Sequence, residues 1–290
     1  MQYEGNIYRP PSEASSLIVQ VTVGCTHNAC TFCEMYKGKQ FRLKPFETIL
    51  ADLHEARRAY RHVERIFFAD GDALCMATDK LLRLLHTVRE LFPECSRVGV
   101  YSRPTQLLQK SEGELVSLAE AGLGIAYIGA ESGSDEVLER VNKGETAQET
   151  IEAVQKAEGA GIRASVTFVL GLGGRELMEE HAVKTGEAIS AMGATYVGLL
   201  SLMLTPRMPL YADVQSGAFT PLTARETMEE LEMILAHTNC VQETILRSNH
   251  ASNWLALAGV LPQDKERMLG QVRAAMRDTS VLRADEWRRL

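Results

Sequence analysis

Three of the six cysteines in the 290-residue chain fall within nine positions, in Gly24-Cys25-Thr26-His27-Asn28-Ala29-Cys30-Thr31-Phe32-Cys33, with the spacing C-x4-C-x2-C. Thiols crowded in this way, in a chain read as belonging to a reducing compartment, point to a metal rather than to a disulfide framework. Three thiolates can bind three irons of a [4Fe–4S] cluster and leave the fourth iron open, so that it can chelate a substrate or cofactor. On spacing alone, other readings stay open. Zinc could take Cys25, Cys30, Cys33 and His27, although His27 stands only two residues from Cys25, an awkward span for closing a tetrahedron. Plant-type ferredoxins share the C-x4-C-x2-C spacing, with a distant fourth ligand that Cys75 or Cys95 could supply. Purely structural thiols are the blandest reading, but three on one loop are neither buried nor inert. The scattered Cys75, Cys95 and Cys240 read as ordinary packed thiols.

The bulk composition narrows the setting. Lys+Arg 31 against Asp+Glu 38 gives a net charge of −7, so no general basic field invites nucleic acid. No apolar run approaches the roughly 20 residues of a membrane span. The opening Met1-Gln2-Tyr3-Glu4-Gly5 lacks the regions of a signal peptide, so the expectation is a cytoplasmic protein with no membrane partner.

The elements that must position the cysteine loop follow from the pattern. Short apolar runs at 17–23, 65–69, 98–101, 125–129, 165–170 and 196–200 read as strands, several continuous enough to be covered on both faces. Helical periodicity fills 45–60, 80–91, 112–121, 148–159 and 177–192. Ser111 with Glu114, and Thr146 with Glu149, have capping-box spacing, and Gly122 and Gly159–Gly161 are helix stops. Six βα units in a row predict an α/β fold, an incomplete (β/α)6 TIM-like barrel with right-handed crossovers. The cysteine loop directly follows the first strand and belongs at the C-terminal face, where barrel active sites sit. After Leu204 prolines break the rhythm and helices are expected at 224–237 and 263–276, with no seventh or eighth strand. The expected organisation is a barrel domain over 1–205 and a helical C-terminal extension over 206–290 that caps it.

With an aromatic Phe32 just before its last cysteine, the loop resembles the cluster motif of the radical S-adenosylmethionine (SAM) superfamily, whose usual spacing is C-x3-C-x2-C; one extra residue is present here. The resemblance extends over roughly residues 14–205. Phe68-Ala69-Asp70-Gly71-Asp72-Ala73 stands where the family has its glycine-rich motif, and Gly129-Ala130-Glu131-Ser132-Gly133 with Lys143-Gly144 looks like the branch that contains oxygen-independent coproporphyrinogen III oxidase and the methylthiotransferases. The resemblance implies that Cys25, Cys30 and Cys33 hold a [4Fe–4S] cluster. It places the SAM amino group at Gly71 and Asp72, the ribose at Glu131 and the methionine carboxylate at Lys143. Thr167 is implied as a polar contact, Leu200 and Phe32 as neighbours of the adenine, and Ser102 and Ser132 as further cofactor-side candidates. These types suit the ligand, since a carboxylate wants a cation and adenine an apolar slot. The bland alternatives are a helix cap for Glu131 and Ser132 and a solvated turn for Lys143.

The implied chemistry is reductive cleavage of SAM to methionine and a 5′-deoxyadenosyl radical that takes a hydrogen atom from a small, polar substrate. A reductant such as flavodoxin or ferredoxin is the implied partner, and a non-catalytic iron–sulfur protein is the alternative. The C-terminal part carries no cysteine group for an auxiliary cluster, which argues against sulfur insertion, and the chain has no room for a cobalamin domain. Tyr36 and Lys37 after the loop, and Asn249 and His250 in the polar stretch 247–253, are candidate substrate contacts, against the plain alternatives of a solvated face and a polar turn.

Overall fold

The computed structural model describes residues 1–288 and divides by contact into two compact units. The first comprises Met1–Asn28, Met35–Ile128 and Lys156–Ala164, and the second Ala29–Glu34, Gly129–Gln155 and Ser165–Leu290.

In the first unit, β1 (Leu17–Gln20) is followed by a small antiparallel pair, β2 (Thr22–Val23) and β3 (Arg42–Leu43). Then come α1 (Phe46–Ala59), β4 (Arg65–Ala69), α2 (Thr78–Leu91), β5 (Arg97–Ser102), α3 (Pro104–Gln109), α4 (Glu112–Glu120) and β6 (Leu123–Glu131), whose last three residues belong to the second unit. The strands β1-β4-β5-β6 lie side by side, all parallel, with Val19 opposite Phe68 and Tyr101 opposite Tyr127. Four of the five residues of β4 are buried, as a parallel strand covered on both faces requires. Helix α1 buries Ile49, Leu53 and Ala56, one stripe at helical spacing, while α2 buries Leu81, Leu84, Leu85 and Val88.

The second unit continues with α5 (Asp135–Arg140), α6 (Ala147–Gly159), β7 (Arg163–Leu170), α7 (Met178–Met192), β8 (Tyr196–Ser201), α8 (Leu210–Ser216) and α9 (Ala224–His237); the last residues of α6 and the first of β7 belong to the first unit. It ends with β9 (Thr244–Ser248), β10 (Leu257–Leu261) and α10 (Lys265–Arg277). Its strand order is β6-β7-β8-β9-β10, with β7, β8 and β9 parallel and β10 antiparallel to β9. Helix α9 packs on α7, and α10 on α9 and β10.

The α/β class and the six parallel strands β1, β4, β5, β6, β7 and β8 stand where the sequence predicts them. The tail differs from the all-helical expectation, because β9 and β10 extend the sheet. Their signal is short. In β9 the alternation of buried and exposed residues spans five positions, and β10 contains Gly259, where a Cβ would come within 2.6 Å of Met268 Sδ on α10. The expected strand 17–23 is also interrupted, since β1 stops at Gln20 and Thr22–Val23 pairs with β3 instead. Both predicted capping boxes form, and a third, Thr223 with Glu226, starts α9.

Candidate functional site

In the first unit, β2 runs into Gly24, a left-handed residue with φ +77°, and then Cys25, which is half-buried. The end of β4 holds this corner in place. Asp70, fully buried, accepts the Gly24 amide at 3.2 Å and the Lys39 ammonium at 3.0 Å on one carboxylate oxygen. Gly71 donates its amide to the Gly24 carbonyl at 3.1 Å. A Cβ on Gly71 would stand 2.6 Å from the Tyr36 ring and 3.0 Å from that carbonyl, so the approach needs glycine. Asp72, also fully buried, accepts from the Thr26 hydroxyl and from the Arg103 amide at 3.4 Å. Ser102, buried at the end of β5, turns its hydroxyl onto the Arg103 carbonyl at 2.9 Å.

The loop segment in this unit is closed from within. Asn28, left-handed at φ +46°, donates to the carbonyls of Tyr36 and Lys39, while Lys37 donates to the Asn28 carbonyl at 2.9 Å. Tyr36 is buried edge-on against Tyr8, and the Lys39 ammonium lies 5.4 Å from its ring centre. Burial, with the Asp70 carboxylate nearby, pushes the Tyr36 hydroxyl pKa upward, so it stays protonated. Tyr36 and Lys37, predicted as substrate contacts, are thus parts of the loop's own frame here.

In the second unit, Ala29–Glu34 is strapped to its surroundings. The Thr31 amide donates to the Val141 carbonyl at 2.9 Å, Asn142 to the Ala29 carbonyl at 3.3 Å, and the Thr205 hydroxyl to Glu34 at 2.6 Å. Phe32, Leu177 and Leu202 pack against the buried cluster of Val137, Val141, Val169 and Leu172. Cys30 and Cys33 are half-buried, and none of the three loop cysteines is in a disulfide. Among the described residues no three His, Cys, Asp or Glu side chains already form a chelating group.

Glu131 ends β6 in the left-handed region, at φ +68°, and Asn142 before Lys143 is left-handed too, at φ +52°. Such conformations cost free energy in non-glycine residues and gather at functional sites. The result brings together two residues twelve positions apart: Lys143 Nζ lies 3.3 Å from Glu131 Oε1 and 3.8 Å from Glu145 Oε2. Gly129 leaves the room, since a Cβ there would lie 2.1 Å from Glu131 Oε1. Burial raises the Glu131 pKa against the pull of Lys143. Burial opposes the charge on Lys143, but Glu131, Glu145 and then Cys30 outweigh it, and its pKa is raised. Lys143 is therefore a buried cation and not a solvated turn lysine.

Ser132 is committed elsewhere. Its hydroxyl lies 2.7 Å from His181 Nδ1 and accepts the Ser134 amide at 3.0 Å, which makes it a tie between the turn after β6 and α7. Gly133 touches the same helix so closely that a Cβ would lie 2.1 Å from the Lys184 carbonyl oxygen. On the β7–β8 ladder Thr167 pairs with Gly198 and Val169 with Leu200, so Thr167 and Leu200 share one half-buried face. The stretch 247–253 comprises the last two residues of β9 and the start of the connection to β10. Asn249 is exposed and His250 half-buried, its pKa lowered by burial and by Arg283. Asn253 donates to the Leu199 carbonyl at 2.7 Å and accepts from Ser201 at 2.8 Å, and Arg283 donates to the carbonyls of residues 250, 251 and 253.

Cys75 is half-buried, its thiol pushed up to about 12 by burial and by Asp72, and burial raises Cys95 and Cys240 as well. All three stay protonated, unlike reactive or ligating thiols. Sequence reasoning passed over Asp70, Asn28, His181 and Glu230. The last two had a signal: each falls on the buried stripe of its helix, where a polar side chain is out of place.

A family model described as the radical SAM superfamily matches residues 19–186. A protein provisionally named a methylthiotransferase from Methanocaldococcus jannaschii is 25% identical over 165 residues, 54% of this chain and 35% of its own length. The heme chaperone of Bacillus subtilis is 20% identical over 221 residues, 73% of this chain and 57% of its own. The chain thus spans between about a third and just over half of these relatives. Among solved structures, coproporphyrinogen III oxidase from Escherichia coli, described as a radical SAM enzyme, superposes with a TM-score of 0.57 at 16% identity, over 76% of this chain and 51% of that one. No helix among the described residues is long and apolar enough to cross a membrane.

Proposed function

Because the chain belongs to the radical SAM superfamily, we propose that it is an enzyme in which Cys25, Cys30 and Cys33 hold a [4Fe–4S] cluster and which binds SAM. The observation that carries the reading is the loop itself: three half-buried cysteines, none in a disulfide, directly after the first strands and in the family's motif position, while the other three are scattered and burial raises their pKa. When bound, the cofactor pair supplies one-electron cleavage of SAM to methionine and a 5′-deoxyadenosyl radical that takes hydrogen from a small, polar substrate.

The protein's own residues fit that ligand by charge. In the first unit, beside Gly71, the second carboxylate oxygen of Asp70 is buried with no hydrogen-bond partner, a spare acceptor in the segment assigned to the SAM ammonium, alongside Asp72. In the second unit Lys143 is a buried cation for the methionine carboxylate. Glu131 offers its carboxylate to the ribose hydroxyls, Phe32 and Leu200 flank the adenine, and Thr167 supplies a polar contact to SAM. Burial of Asp70, Asp72 and Lys143 excludes water around them, so that a hydrogen bond from these groups to SAM is stronger than in solution. Ser132 and Ser102 orient the turns after β6 and β5, and Asn249 and His250 are assigned to the substrate side. The barrel core over 1–205 and the extension over 206–290 form the proposed division of labour, with a small reductant protein as electron donor.

The test is product analysis. Anaerobically reconstituted protein given dithionite and SAM should release 5′-deoxyadenosine and methionine. Iron-loaded protein that yields neither is a non-catalytic iron–sulfur protein, and the proposal fails.

A further inference from the structure

A chain of polar groups runs through the apolar interior of the second unit with no role in the reading above. Glu230, on α9, is fully buried, and its Oε2 accepts the amide of Gly171, the left-handed residue at φ +81° that opens the glycine turn after β7. Its Oε1 has no hydrogen-bond partner and lies 4.0 Å from His181 Nε2 on α7. His181 is itself fully buried, and burial lowers its pKa to about 4, so the ring is neutral. Its Nε2 lies 3.1 Å from the Val169 carbonyl and must donate there, which leaves Nδ1 to accept from the Ser132 hydroxyl at 2.7 Å. Ser132 in turn accepts the Ser134 amide, and Thr185 on α7 accepts the Gly133 amide at 3.1 Å. Four elements therefore meet here: α9, α7, the turn after β7 and the turn after β6.

Among the described residues, no cation faces the Glu230 carboxyl group to balance a negative charge. His181 is the ionisable group that faces Glu230 from α7, and the Gly171 amide is what the β7 turn offers. The charged neighbours along α9 are held at the surface, Glu226 by Arg175, Glu229 by Arg225 and Glu232 by Arg273 of α10. One amide dipole cannot offset the desolvation of a carboxylate.

We propose that Glu230 is a positioning residue: its protonated carboxyl group accepts the Gly171 amide and packs uncharged against His181, whose ring bonds Ser132, so that the turns after β7 and β6 keep one arrangement that ionisation disrupts. Those turns border Glu131 and the β7 face that carries Thr167, so the consequence for SAM rests on the function proposed above, whereas the coupling of the turns does not. The group titrates near pH 8, because burial lifts it there against the pull of the Gly171 amide.

The experiment compares wild type, Glu230→Gln and Glu230→Ala. The infrared difference between wild type and Glu230→Gln at pH 6.5 should show a protonated-carboxyl band that is gone by pH 9.5. Hydrogen exchange of peptides covering 171–177 and 132–134, corrected for intrinsic rates, should quicken in wild type between pH 7 and pH 9. Glu230→Gln, neutral and of the same shape, should stay protected at both, and Glu230→Ala should be loose at both. If only the protonated form binds, the apparent Kd for SAM rises about tenfold over the same interval in wild type and not in Glu230→Gln. A missing carboxyl band, or Glu230→Gln as loose at pH 7 as Glu230→Ala, overturns the proposal. Exchange that follows Glu230 while SAM affinity does not confirms the coupling and overturns the placement of SAM beside these turns.

Discussion

Replacing Lys143 by Met tests the site and its energetics together. The side chains of Lys143 and Glu131 are 9% and 14% exposed and their charged atoms lie 3.3 Å apart. At an effective dielectric of about 20 the Coulomb attraction at that distance is about 5 kcal/mol, most of which offsets the cost of removing both charges from water. The net worth of the pair is therefore modest, but removing one member strands the other. Lys143→Met should cost about 3 kcal/mol of stability, the lower end for a broken buried pair because both groups keep slight exposure. The deficit should shrink as pH falls, because Glu131, whose pKa burial already raises, then takes up a proton instead of remaining a stranded anion. The triple variant Glu131→Gln/Lys143→Met/Glu145→Gln removes both stranded carboxylates and should lie within about 1 kcal/mol of wild type. Urea unfolding at constant m-value reads both. For SAM, loss of one charge-assisted hydrogen bond predicts a Kd about ten- to hundredfold weaker by calorimetric titration of the anaerobically reconstituted protein. A single variant within about 0.5 kcal/mol of wild type would refute the buried pair. Unchanged SAM affinity in a destabilised variant would refute only the placement of the methionine carboxylate.

Replacement of Cys25, Cys30 or Cys33 by Ala should drop bound iron from about four per chain to near none, measured with visible absorption after anaerobic reconstitution. The triple replacement of Cys75, Cys95 and Cys240 by Ser should keep the iron, and loss of half of it would reveal a second cluster and reopen sulfur insertion. Gly133→Ala should destabilise by more than Gly71→Ala, about 3 kcal/mol or above against about 1–3, because its Cβ meets backbone at 2.1 Å whereas the Tyr36 ring at 2.6 Å can shift; equal melting temperatures would contradict this. For Glu230 the folded pKa of about 8 lies above the ordinary 4.5, so wild-type stability falls as pH rises between those values. The advantage of Glu230→Gln should then grow by up to about 1.4 kcal/mol per pH unit across that window, and parallel stability–pH curves for the two proteins would refute it.

Much of this chain is local, and what is local was readable. The cysteine spacing, the Ser111 and Thr146 capping boxes and the six apolar runs that became β1 and β4–β8 depend on neighbours within a few residues, so period and residue type suffice. The short strands of the tail were not, because β9 forms only by finding β8, and the five-residue pattern of β10 shows no more than that some apolar surface must be covered. The site divides the same way. The family resemblance marked Glu131 and Lys143 as SAM contacts, but a left-handed turn at Glu131 and the glycine space at Gly129 decided that they meet each other. Ser132 carried the same polar signal and was drawn instead to His181, a partner forty-nine positions away on α7. Asp70 and Glu230 show the limit most clearly: a carboxylate's neighbours in sequence do not say whether it will be solvated, and only the packed fold withdraws it from water and leaves one of its oxygens without a donor.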